Sequence, residues 1–298
     1  MGGDTSKDDE LRQGEEVSKS QYQIGTKVIE SPRHPEWSED RCLGLLLAGG
    51  KSALIGVFDG VGRGGPNSAK AAEAVLQSVR SLQTKVVESP TINQAADLLS
   101  SAIFASSGKI KSLKAQARNP QLDTTAAVAM VAQSEDTKRK FLVTANVGDS
   151  RIYRYRPTSG ELEQLTKDHT IAQKLIDSGQ LKPEDAVGHD ASYVITKSVG
   201  SLKSPADVDT NDVPLEEGDV ILAVSDGFSD NFSLKDLPRK VQQSSKSEPN
   251  KRIGPAEIAE RLAEAALAAM LDDSNPLSKK DDVSVAVLRY PRILVVDA

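Results

Sequence analysis

The chain is predicted to fold as an α+β protein with antiparallel sheets. Three observations lead there: two amphipathic helical patterns follow one another after the third apolar run, a hairpin-like pair of apolar runs comes directly after them, and the remaining apolar runs are short and end abruptly in turn residues. Helices and strands are therefore grouped along the sequence, which suggests segregated layers.

Taken in order, residues 1–20 are rich in Asp, Glu, Lys, Ser and Gln without apolar periodicity and read as a disordered polar tail, leaving one domain over 21–298. A first strand is expected at 22–29, then a loop at 31–38 with two prolines, then a strand at 42–48. The run at 52–58 is short, apolar and flanked by glycines, the pattern of a buried strand. A helix is expected at 67–88, because Ala69, Ala72, Val75, Leu76, Val79 and Leu82 recur at spacings of three and four, with Asn67 as N-cap. Pro90 ends it, and a second helix at 91–118 carries Ile92, Ala95, Leu98, Leu99, Ile103 and Ile110. Runs at 125–132 and 141–147 flank a polar segment and read as a hairpin, with a short strand at 152–155 after it. Further on come a helix at 171–178, a strand at 220–224, helices at 234–243 and 255–271, a strand at 283–288 and a candidate strand at 293–296.

Composition narrows the function. The 298 residues carry 37 Lys and Arg against 43 Asp and Glu, a net charge of −6 with no basic block, which argues against nucleic acid as the main partner. No apolar run approaches the length of about 18 residues needed to span a membrane, and residues 1–20 lack a signal-sequence pattern, so a cytoplasmic protein without membrane association is expected. Cys42 is the single cysteine, which rules out a disulfide within the chain and is read as a small buried strand residue. The three histidines, His34, His169 and His189, are too dispersed for a zinc motif and are read as structural or surface groups. Lys138-Arg139-Lys140 and Lys279-Lys280 are read as solvated loop ends.

The chemistry is carried by acids at strand edges. The run 52–58 stops at Asp59 and Gly60, the run 220–224 leads into Ser225-Asp226-Gly227, the run 141–147 leads into Gly148-Asp149-Ser150, and Asp281-Asp282 precedes the last strand. A strand followed by Asp-Gly is commonly only a turn. Its recurrence at remote positions invites a single explanation, that the carboxylates meet in space, and oxygen donors without thiol or imidazole suit hard cations such as Mg²⁺ or Mn²⁺. Glu39-Asp40, just before the second strand, reads either as a capped turn or as a further contributor.

These residues resemble the metal-dependent protein serine/threonine phosphatases, the PPM or type 2C family, over about 22–290. The likeness lies in Ser-Glu-Asp at 38–40, GVFDGVG at 56–62, DTTAAVAMV at 123–131, ANVGDSRIY at 145–153, LTKDHT at 165–170, VITKSVG at 194–200, ILAVSDGFSD at 221–230 and DDVSV at 281–285, in the family's order. The segment at 171–190 looks most like the bacterial branch. The resemblance implies two stacked antiparallel β-sheets flanked by α-helices, with two to three Mn²⁺ or Mg²⁺ ions at one end. It implies that Asp59 bridges two metals, that the Gly60 carbonyl binds one, that Asp226 and Asp281 hold the first metal, and that Asp149 with Asp226 serves a third. Glu39 or Asp40 would act through water, and a flap at about 170–195 would lie beside the site. The implied reaction is hydrolysis of phosphoserine or phosphothreonine in proteins by direct attack of a metal-activated water, without a phosphoenzyme, in a monomer working against a Ser/Thr kinase or on its targets. A pseudophosphatase acting as a regulatory binding module is the alternative. Two departures from the family's pattern are visible: Val61 stands where some members carry a histidine, and Pro35 where some carry a phosphate-binding arginine, leaving Arg33 to bind phosphate or to be a solvated loop cation.

Overall fold

Each strand expected between residues 22 and 290 forms, and the structure, a computed structural model, describes residues 22–62, 65–247 and 253–290. The polar tail at 1–20 and the candidate strand at 293–296 lie outside the described residues. The first three strands are β1 (Gln23–Ile29), β2 (Arg41–Leu47) and β3 (Ser52–Phe58), followed by the two-residue β4 (Gly60–Val61). The first helical pattern is α1 (Pro66–Arg80) with a short α2 (Leu82–Lys85). Asn67 is not its cap: Gly65 is, with Pro66 at the first helical position, where a residue without an N–H costs nothing and φ is already set.

The second helical pattern is divided into α3 (Ile92–Ala105) and α4 (Ser107–Ala117). Ser106 stands between them and its hydroxyl donates back to the Ile103 carbonyl at 2.7 Å, a local bond that competes with helix continuation. Thr91 and Gln94 form a reciprocal capping box at the start of α3. After the short β5 (Asp123–Thr124), the hairpin is β6 (Ala126–Gln133) and β7 (Lys140–Val147), then β8 (Arg151–Arg156) and β9 (Glu161–Gln164). The helices α5 (Ile171–Asp177) and α6 (Pro183–Ala186) come next, then β10 (Asp209–Pro214), β11 (Val220–Val224), α7 (Asp226–Ser229), α8 (Asp236–Ser245), α9 (Pro255–Leu271) and β12 (Val283–Arg289). β9 and β10 are polar edge strands whose sequences, ELEQ and DTNDVP, carry no apolar alternation from which to read them.

The strands build two five-stranded sheets, ordered β1-β12-β11-β8-β9 and β10-β7-β6-β3-β2, antiparallel at each ladder pairing within them. Between the sheets lies a layer of mostly small apolar side chains, including Ile55, Val57, Ala127, Ala129, Ile221, Ala223, Ala286 and Leu288. The outer face of one sheet packs Leu54, Val128 and Met130 against Val75, Val79, Leu99 and Ile103 of α1 and α3. The other packs Val220, Leu222, Val285 and Val287 against Ile258, Leu262 and Ala266 of α9. Central strands covered on both faces are apolar at most positions, which is why β3, β6, β11 and β12 read as nearly continuous runs.

This topology fixes where the acids meet. Antiparallel pairing sets the end of β3 beside the start of β2 (Phe58 opposite Arg41), and the end of β11 beside the starts of β12 and β8 (Val224 opposite Val285 and Arg151). Asp40, Asp59, Asp149, Asp226 and Asp281 are each within two residues of one of those strand ends. Stacking the two sheets then brings all of them to one edge of the sandwich.

Candidate metal centre

Asp59 is held by its backbone. Its carbonyl accepts from Thr125 N–H at 2.8 Å and from the Thr124 hydroxyl at 2.8 Å, and its own N–H donates to Thr125 Oγ1 at 3.1 Å. Thr125 in turn shares a 2.7 Å hydrogen bond with Ser150, beside Asp149. The third member of that short segment, Asp123, points away from the acids and is fully occupied: it accepts from Thr124 N–H, Gly200 N–H, Ser198 Oγ and Lys114 Nζ at 2.9, 2.7, 2.7 and 2.5 Å. Residues 123–125 are thus a clamp that ties Asp59 to the turn at 198–200. Gly60 must lack a side chain, because a Cβ there would lie 2.6 Å from the Ser68 carbonyl oxygen and 3.0 Å from that of Glu39.

Asp226 opens α7, and Gly227 after it lets the loop before β12 cross directly over that helix. A Cβ on Gly227 would sit 1.9 Å from the Asp282 carbonyl oxygen. Gly227→Ala should therefore push Asp281 away from Asp226, with a loss of about 1–3 kcal/mol in denaturant unfolding and a weaker response to Mn²⁺ in the same assay.

Asp282 differs from its neighbour Asp281. Its two oxygens accept from Ser31 N–H at 2.7 Å and Glu39 N–H at 2.6 Å, so it pins the loop at 31–39 against the site. Asp282→Ala removes two charge-assisted bonds and should cost about 2–4 kcal/mol of folding stability, whereas Asp282→Asn, which retains one acceptor, should cost less in the same denaturant titration. His34, Glu39 and Asp282 also offer ligand-type atoms within 4.8 Å of one another. That trio is a hydrogen-bonded corner and not a cation cage: both Asp282 oxygens are engaged, and His34 Nδ1 is 2.9 Å from the Trp37 carbonyl, which requires it to carry the proton. The imidazole stacks on the Trp37 ring at 4.1 Å.

The remaining acids crowd together, and protein donors meet only some of their oxygens. Asp40, Asp59 and Asp149 are only 2%, 7% and 4% exposed, yet Asp40 Oδ2, Asp149 Oδ1 and Asp226 Oδ1, together with Glu39 Oε1, are buried without a hydrogen-bond partner. Burial, and then the charges of Asp40, Asp226, Asp281 and Asp149, holds the Asp59 carboxyl well above the usual carboxylate range. Burial also raises Asp40 (with Asp282 next), Asp149 (with Asp226 next) and Glu39. Asp281 is raised by burial and by Asp226, against the pull of Lys279. Burial would raise Asp226 as well, but Lys279 outweighs it and brings that carboxyl below its ordinary value.

Orphaned, buried, oxygen-only donors of one sign fit a hard divalent cation, because water cannot reach them and protein donors do not. The residues singled out from sequence, Asp59, Gly60, Asp149, Asp226, Asp281 and Asp40, are gathered at this point. Arg33 is exposed on the pinned loop, its backbone N–H bonded to Ser31 Oγ at 3.2 Å. Cys42 is half-buried on β2, with burial pushing its thiol to about 11, which leaves it protonated and inert. His169 takes the structural role expected of it, accepting from Gly148 N–H at Nδ1 (2.9 Å) and facing Asp209 at Nε2 (3.1 Å).

Sequence reasoning missed three groups here. Lys279 is no solvated loop end: its side chain is 18% exposed, and its ammonium contacts Asp226 directly and lies 3.4 Å from Asp281 and 3.6 Å from Asp230. Arg151 donates three hydrogen bonds to Asp168, at 2.6, 2.9 and 3.1 Å, and stands 3.7 Å from Asp230, the third missed group. Nothing in spacing marks a lysine flanked by another lysine and by a serine as buried.

Comparison with known proteins agrees with the geometry. A family model described as protein phosphatase 2C matches residues 34–272, ending before Asp281. The serine/threonine phosphatase stp of Listeria monocytogenes is 35% identical over 108 residues, 36% of this chain and 39% of that protein, so the match spans about two-fifths of the curated relative. A Streptococcus agalactiae serine/threonine phosphatase structure superposes with a TM-score of 0.69 at 24% identity, covering 90% of this chain and 99% of that one. The catalytic domain of the serine/threonine phosphatase PstP, solved with two manganese ions, superposes with a TM-score of 0.62 at 22% identity, over 90% and 97% of the two chains. Matched over most of its length and sharing the fold of those structures, the chain belongs to the protein phosphatase 2C family, a metal-dependent one.

Proposed function

We propose that this protein is a metal-dependent phosphatase that hydrolyses phosphoserine and phosphothreonine in proteins. The observation that carries the reading is the set of buried carboxylate oxygens, Asp40 Oδ2, Asp149 Oδ1 and Asp226 Oδ1, that find no donor at the edge where Asp59 is also buried. A scaffold has no use for such oxygens, since buried carboxylate atoms left without donors only destabilise it, and this weighs against a pure binding module. Names of the relatives and the manganese of the PstP structure support the substrate class and the metal.

In this reading Asp59 and the Gly60 carbonyl, with Asp226 and Asp281, hold two Mn²⁺ or Mg²⁺ ions, and Asp149 with Asp226 contributes to a third. Bound there, such ions would lower the pKa of water and offset charge on the phosphoryl oxygens. The chain's own part is positioning. The Thr124-Thr125 clamp fixes Asp59, Gly227 fixes the distance between Asp226 and the loop bearing Asp281, and Asp282 holds Glu39 and Asp40 where they orient solvent. Arg33, on the loop so pinned, contacts the phosphate. Val61 cannot donate a proton, so the departing oxygen takes it from solvent or another group. The flap at about 170–195 borders the site and selects substrates.

The reading also takes residues 21–298 as one catalytic domain acting as a cytoplasmic monomer against a Ser/Thr kinase. No helix among the described residues is long and apolar enough to cross a membrane. The test is hydrolysis of p-nitrophenyl phosphate and of a phosphothreonine peptide. Turnover that requires Mn²⁺ and stops with EDTA is expected; no turnover at saturating Mn²⁺ would overturn the proposal.

A further inference from the structure

Lys279 has a place in the acidic cluster that the catalytic reading leaves unused. Its backbone is clamped on both sides by Asn231, which is 2% exposed: Lys279 N–H donates to Asn231 Oδ1 at 2.8 Å, and Asn231 Nδ2 donates to the Lys279 carbonyl at 3.2 Å. The side chain is thereby aimed inward, where its ammonium meets Asp226, Asp281 and Asp230. On the other side, the ring of Tyr193 from the flap lies over the ammonium at 5.5 Å. Close by, Asp149 Oδ1 and Asp226 Oδ1 stay without a partner.

A monovalent cation on a four-carbon tether and a free divalent cation compete for the charge of the same carboxylates. We propose that Lys279 is a tethered competitor for divalent metal at the corner formed by Asp149, Asp226 and Asp230, and that its displacement is passed to the flap through Tyr193. The inference rests on the metal-centre reading above and adds a rule to it: metal at that corner binds only as the ammonium leaves. When it leaves, the flap loses the cation beneath Tyr193 and with it a contact to the catalytic edge. Occupancy of this corner and access to the site are then linked in one side chain.

Calorimetric titration of the metal-stripped protein with MnCl₂ tests the competition. Lys279→Met, which keeps the stem and removes the charge, should tighten the weakest Mn²⁺ binding event about tenfold or more, while Lys279→Arg should stay within about threefold of wild type. Affinities unchanged or weakened in Lys279→Met overturn the competition. Asp59→Asn in the same titration separates the two claims. Loss of tight Mn²⁺ binding upholds the centre whatever Lys279→Met does, and wild-type binding by Asp59→Asn removes the centre and this inference together. Hydrogen exchange on the wild-type protein needs no variant to fold. Protection over 171–193 should fall at the Mn²⁺ concentrations that fill the weakest site, and flap exchange that ignores Mn²⁺ throughout overturns the link to Tyr193.

Discussion

Asp59→Asn is expected to leave less than about a thousandth of the wild-type Mn²⁺-dependent rate, since metal activation and charge stabilisation together supply several kcal/mol of the barrier reduction. Asp59 is the acid that the others surround: Asp40, Asp226, Asp281 and Asp149 all bear on its carboxyl. An amide in its place keeps the shape and the Thr124-Thr125 clamp, which acts on the backbone, but removes the charge that a shared cation requires. Asp226→Asn should be similarly damaging, and it also strips Lys279 of its closest partner. Steady-state kinetics with p-nitrophenyl phosphate over a Mn²⁺ series measures both variants. Near-normal turnover by either at low Mn²⁺ would mean that the ligands are misassigned.

The second large effect is on stability. Burial first, and mutual repulsion after it, raises the folded-state pKa of Asp40, Asp59, Asp149 and Asp281. A raised acid contributes stability that is fully present below its unfolded pKa, about 4, and lost as pH rises through the folded value. Asp226, lowered chiefly by Lys279 against burial, has its contribution fully in place above about pH 4 and adds no slope beyond it. Metal-free protein should therefore lose stability as pH climbs from about 4 upward, as the four acids ionise against one another. Mn²⁺ takes up the ionised form, so its affinity grows over the same interval and the slope flattens or reverses. At a free Mn²⁺ concentration 100 times Kd the gain is about 2.7 kcal/mol, or a rise in Tm of about 5 °C or more. Thermal unfolding in EDTA and in Mn²⁺ across this pH range checks it, and identical slopes in the two series would contradict the acidic centre. Asp59→Asn should show a shallower slope in EDTA and little response to Mn²⁺.

Where sequence and structure part company, the reason is physical. The helical periodicity of 91–118 continues across Ser106, so pattern alone could not show that its hydroxyl would close the turn on Ile103. β10 is legible only as the edge partner of β7, because its own residues are exposed and polar. Asp281 and Asp282 are chemically identical neighbours; the family resemblance chose Asp281, and the Ser31 and Glu39 amides held by Asp282 supply a physical reason that spacing does not. Asp123, quoted only as part of a segment, proved to be a structural acid because four donors converge on it from helix, strand and turn.

The apolar runs and the acids that end them determined the layered antiparallel fold and the candidate ligands, since burial on both faces forces hydrophobic strands and a carboxylate at a strand terminus is held by a rigid element. Only the tertiary structure decided which carboxylates stay without donors, and that a lysine lies among them. Those outcomes depend on distances between segments more than fifty residues apart, and one-dimensional spacing does not encode them.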